Sequence, residues 1–76
     1  MSAQLPVVAS RDAIRVFERA GYRVIPRRGK GSHVVMASDS SPAILVISSH
    51  RELPRGLLRA LIRQSGLTVD EFVDLL

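Results

Sequence analysis

Residues 32–48 read Ser32-His33-Val34-Val35-Met36-Ala37-Ser38-Asp39-Ser40-Ser41-Pro42-Ala43-Ile44-Leu45-Val46-Ile47-Ser48, and this stretch decides the fold. Two apolar runs rich in β-branched side chains, Ser32 to Ala37 and Ala43 to Ser48, flank the polar turn Asp39-Ser40-Ser41-Pro42. So short a connection permits only antiparallel pairing. Upstream, Gly29-Lys30-Gly31 predicts a second turn. Before it, Tyr22 to Arg28 alternates Tyr, Val, Pro with Arg, Ile, Arg as a strand does, and Pro26 suits an edge or a bulge. Three strands in a meander follow. Helical spacing brackets them. From Arg11 to Ala20, Ala13, Ile14, Val16, Phe17 and Ala20 share one side at about 100° per residue. Ser10 is the expected N-cap of that helix, Asp12 suits its positive end, and Gly21 is the expected stop. Pro54 opens a second helix running to Ser65, with Leu57, Leu58, Leu61 and Ile62 as its apolar stripe and Gly66 as its end. Thr68 and Glu71 stand at capping-box spacing ahead of a last short helix carrying Val69, Phe72, Val73, Leu75 and Leu76.

The order α-β-β-β-α-α predicts an α+β fold, a three-stranded antiparallel sheet covered by helices on one face. Residues 1–9 read as a flexible N-terminal leader and residues 10–76 as a single domain. Strands 2 and 3 carry apolar residues at both parities, Val34 and Met36 against Val35 and Ala37, and Ile44 and Val46 against Leu45 and Ile47. The face away from the helices therefore keeps apolar groups in water, which points to a partner or a second copy, or else is ordinary surface, more than half of which is apolar in any protein.

Composition narrows the chemistry. The 76 residues contain no Cys, so neither a disulfide framework nor a thiolate metal site supports this small core. The longest apolar run, Ala43 to Ile47, is too short to span a bilayer. Met1 to Ser10 lacks the charged start and long apolar region of a signal peptide, so the expected location is the cytoplasm, with no membrane partner. Ten of the 11 cations are Arg, set in two runs at spacing four: Arg11, Arg15, Arg19 and Arg51, Arg55, Arg59, Arg63. A third cluster, Arg23, Arg27, Arg28 and Lys30, lies between them. Residues 1–66 hold all 11 cations against Asp12, Glu18, Asp39 and Glu52, a formal +7, while Asp70, Glu71 and Asp74 crowd the end. An arginine stripe alone can simply solvate a helix. Three basic segments in so short a chain point to phosphate binding.

Catalytic groups are few. No His pair has metal-ligand spacing and no paired carboxylates sit on the basic body, so no metal or other cofactor is expected. Gly29-Lys30-Gly31-Ser32 lacks the earlier glycine of a phosphate loop, although its backbone can still cradle an anion. His33 follows that turn directly. Imidazole is suited to proton transfer near neutral pH, and Arg28 and Lys30 would hold a phosphodiester beside it. RNA cleavage needs little more: a base takes the 2′-hydroxyl proton, the oxygen attacks phosphorus, and cations stabilise the charge that develops. A lone histidine beside a turn can equally be a solvated surface residue. His50, just after the third strand, is a candidate second proton-transfer group or else a loop histidine.

Several segments then fall into one pattern. Ala20-Gly21-Tyr22-Arg23-Val24 followed by Arg28-Gly29-Lys30-Gly31-Ser32-His33 resembles the Gly-Phe/Trp and Gly-Ser-His signature of the HicA family. His50, Gly56-Leu57-Leu58-Arg59-Ala60-Leu61-Ile62-Arg63-Gln64-Ser65-Gly66-Leu67 and Glu71-Phe72 are similar to its closing motif, so the resemblance covers roughly Ser10 to Leu76. Ser48 stands where the family commonly has proline, and Leu57 where it often has threonine. The resemblance implies a fold similar to the double-stranded-RNA-binding domain and the toxin of a type II toxin–antitoxin pair. It implies a metal-independent endoribonuclease acting on mRNA, with His33 as its catalytic residue. A HicB-like antitoxin would occlude that histidine, and a higher-order toxin–antitoxin complex stays open. RNA or phosphate contacts are expected from Arg27, Arg28, Gly29, Lys30, Gly31 and Ser32, with Arg55 and Arg59 in an outer footprint. Two other readings stand beside this one: a non-catalytic RNA-binding module of similar fold, and a basic adaptor for an acidic protein.

Overall fold

A computed structural model describes residues 4–26, 31 and 33–76. Helix α1 spans Ser10–Arg19, strands β1, β2 and β3 span Arg23–Val24, His33–Ser38 and Ser41–Ser48, and helices α2 and α3 span Arg55–Ser65 and Val69–Asp74. The strands form one antiparallel sheet in the order β1-β2-β3, the α+β meander expected from the sequence. Met36 pairs with Leu45 and Val34 with Ile47, so these four face the same side. They pack there against Val16 and Phe17 of α1, Leu58, Leu61 and Ile62 of α2, and Phe72 of α3. Phe17 is the hub: its ring lies 5.5 Å from that of Phe72 and 6.2 Å, edge-on, from that of Tyr22. Val35, paired with Val46, lies on the opposite face, where Ile44 and Val46 stay about half exposed. The helices thus cover one face and leave an apolar stripe on the other.

Local chemistry terminates the elements as the sequence predicts in three places. After α1, the Gly21 N–H donates to the Glu18 carbonyl and the Tyr22 N–H to that of Phe17, the paired bonds of a Schellman ending, with Gly21 at φ +102°. Gly66 ends α2 at φ +84°. Thr68 and Glu71 make the full capping box: Thr68 Oγ1 accepts from the Glu71 N–H at 3.1 Å and Glu71 Oε1 from the Thr68 N–H at 2.8 Å.

Four expectations change. Ser10 is the first residue of α1, not its cap; Ala9 holds the cap position without a side-chain bond. Leu5 and Val8, in the stretch expected to be a loose leader, are core residues at 2% exposure. The Val8 carbonyl also accepts the Leu53 N–H at 2.7 Å, which ties this segment to the chain ahead of α2. Among the described residues strand β1 covers only Arg23–Val24, extended by one bond from the Ile25 N–H to the Val35 carbonyl at 2.8 Å before Pro26, which has no N–H to pair; Arg27 and Arg28 of the expected strand lie outside the described residues. The β2–β3 turn is shorter than expected, and Pro42 lies inside β3. Proline is tolerated there because β3 is an edge strand and the register is irregular between Met36 and Ser38.

Candidate nucleic-acid interface

His33 is the first residue of β2, exposed, and directly opposite Ser48 in the β2–β3 register. Directly opposite residues project from the same face, and both share the parity of Val35 and Val46. His33 therefore leaves the sheet on the helix-free side, at the end of the apolar stripe. Ser48 Oγ and His50 Nε2 share a hydrogen bond at 2.9 Å. One serine hydroxyl thus links the second imidazole to the strand position facing the first.

The loop carrying His50 is held by Ser10. Buried to 7% exposure at the start of α1, Ser10 donates its hydroxyl to the Ser48 carbonyl at 2.6 Å. The same oxygen accepts the His50 N–H at 2.8 Å, and the Ser10 N–H donates to the His50 carbonyl at 3.1 Å. By sequence Ser10 reads only as a helix cap; its partners lie 38 and 40 positions away, and no local pattern announces them.

The other expected contacts divide. Gly31 is exposed at φ +59°, a backbone conformation glycine adopts without strain. Arg27, Arg28, Gly29, Lys30 and Ser32 lie outside the described residues. Arg55 and Arg59 are exposed on α2, in the helical layer, and are not brought to the face that carries His33. Three further arginines are engaged within the protein: Arg23 with Asp39 at 2.9 Å, Arg19 with the Leu75 carbonyl, and Arg15 with Asp12 at 3.9 Å. Among the described residues no group of three or more His, Asp or Glu side chains is placed to hold a metal ion.

The family described as "HicA toxin of bacterial toxin-antitoxin" matches residues 10–67, from the first residue of α1 to just beyond α2. The chain belongs to the HicA toxin family. No match is found among curated proteins. Membership of a toxin–antitoxin family implies a cognate antitoxin partner.

Proposed function

We propose that this HicA-family toxin is an endoribonuclease acting on mRNA in the cytoplasm, without a metal, and that His33 is its catalytic residue. The observation that carries the reading is the placement of two imidazoles at one end of the sheet: His33 exposed on β2, and His50 bonded to Ser48 directly across from it. In the reaction, a ring nitrogen of His33 takes the proton from a ribose 2′-hydroxyl. The 2′-oxygen attacks the adjacent phosphorus, and the bond from phosphorus to the 5′-oxygen breaks. That 5′-oxygen takes a proton from His50 or from water, leaving a 2′,3′-cyclic phosphate and a 5′-hydroxyl. Charge building on the phosphoryl oxygens is met by the basic segment 27–31. A HicB-like antitoxin silences the toxin by covering the helix-free face, where Ile44 and Val46 continue the surface beside His33.

The test is RNA incubated with wild type and His33→Ala in the presence of EDTA. Wild type should cleave, and the variant should bind RNA without cleaving it. Equal cleavage by both proteins would remove His33 from the mechanism. RNA bound but uncleaved by wild type would leave a non-catalytic RNA-binding module.

A further inference from the structure

At the junction of α1 and the segment after β3 lies an open cleft of about 430 Å³, lined by Ala9, Ser10, Arg11, Ser49, His50 and Arg51. No lining residue is acidic, and two are arginines from different parts of the chain. Arg11 and Arg51 make no ion pair among the described residues, whereas Asp12, the carboxylate next to Arg11, is turned to Arg15. The walls are fixed by the Ser10 bonds to Ser48 and His50, so both guanidinium groups start from an anchored backbone. His50 lines the cleft while its Nε2 holds Ser48, the residue opposite His33. We propose that this cleft is a second phosphate subsite, taking an RNA backbone phosphate outside the scissile linkage, with Arg11 and Arg51 as its ligands. The inference rests on the ribonuclease reading for its ligand and on the cleft alone for its anion chemistry. Guanidinium is the side chain best matched to phosphate, since its forked N–H groups reach two oxygens at once. The cleft lies at the N-terminal end of α1 and just past the C-terminal end of β3, beside Ser48, the residue that faces His33.

The experiment measures binding of a 2′-O-methyl hexauridylate, which cannot undergo 2′-hydroxyl attack, to wild type, Arg11→Gln/Arg51→Gln and Arg15→Gln. The double variant should bind about tenfold more weakly, the loss of a charge-assisted phosphate contact. Its slope of log affinity against log salt should shrink by about 0.7, one phosphate on a single strand. Arg15→Gln should match wild type, and a dinucleotide carrying one phosphate should not distinguish the proteins. Equal affinity and equal slope for wild type and the double variant would overturn the subsite. If wild type binds no RNA, the ribonuclease reading fails separately. Inorganic phosphate then decides the cleft: amide shifts confined to His50, Arg51 and Arg11 support an anion site, and their absence overturns it.

Discussion

Replacing Ser10 discriminates between two physical roles for one hydroxyl. Its Oγ donates to the Ser48 carbonyl at 2.6 Å and accepts the His50 N–H at 2.8 Å, in a residue 7% exposed. Ser10→Ala leaves the N–H without this partner and the carbonyl one donor short. A buried group left unsatisfied costs about 1–3 kcal/mol. His50 itself is exposed, so water recovers part of this, and the expected loss is about 2 kcal/mol. With a urea slope of about 1 kcal/mol/M for so small a domain, the midpoint should fall by about 2 M at unchanged slope. Thermal unfolding should drop by about 8–16 °C. Ser10→Asp supplies the discrimination. If Ser10 were a helix cap, aspartate would serve equally well. A carboxylate, however, accepts the His50 N–H but cannot donate to the Ser48 carbonyl, and sets two oxygens against each other. The aspartate variant should therefore be no more stable than the alanine variant, with Ser10→Thr retaining more stability than either. An aspartate variant as stable as wild type, or an alanine variant within about 0.5 kcal/mol of it, would refute the staple.

Tyr22→Phe should leave stability unchanged or raise it by about 1 kcal/mol, because the Tyr22 hydroxyl is buried without a hydrogen-bond partner among the described residues; chemical denaturation reads this directly. Thr68→Ala should cost about 1 kcal/mol through loss of the capping box, and Glu71→Ala added to it should cost less than the two single effects combined, measured as a double-mutant cycle. Ser48→Ala should lower kcat for RNA cleavage while leaving RNA affinity within about twofold, since it removes the bond that holds the second imidazole but no cation. Val46→Lys, on the helix-free face, should preserve the fold by circular dichroism and weaken antitoxin binding in calorimetry, because a cation set into the apolar patch must be desolvated on docking.

What could be read from the sequence follows the range of the forces involved. The capping box at Thr68 and Glu71 and the glycine ending at Gly66 are set by neighbours within a few positions and are where the sequence puts them; the β2–β3 hairpin also forms, but its turn is two residues shorter because Ser41 and Pro42 join β3. The helix-free apolar face was legible because the pleat alternates with a period of two: apolar residues at both parities must leave one set outside. Leu5 and Val8 escaped because a short apolar stretch ahead of a helix has no periodicity to betray it; their burial depends on a partner segment near Leu53. Ser10 reads as a cap for the same reason, since a serine before an amphipathic run is the usual sign of one, while the bonds it actually makes are to Ser48 and His50, far along the chain. The pairing of His33 with Ser48 required the register, and the turn irregularity between Met36 and Ser38 breaks the simple count that would have supplied it.

The distribution of arginines gives the surface a direction that net charge does not. Arg23 closes on Asp39 at the β2–β3 turn, Arg19 caps the C-terminal end of α3 through the Leu75 carbonyl, and Arg15 lies near Asp12. These guanidinium groups already have oxygen partners, so exchanging one for phosphate gains less than engaging a guanidinium that has only water. Arg11 and Arg51, by contrast, stand at the end of the sheet in the cleft that His50 shares, and Arg55, Arg59 and Arg63 follow along α2. At 1.5 Å per residue the stretch from Arg55 to Arg63 extends roughly 12 Å. Among the described residues, the line of arginines outside these pairs therefore runs from the cleft at the end of the sheet onto α2. An RNA strand following it would turn over the edge rather than lie flat across the apolar stripe of Val46 and Ile44. Under the proposed function, that division would give RNA a basic track and the antitoxin an apolar face, with His33 at the edge of both.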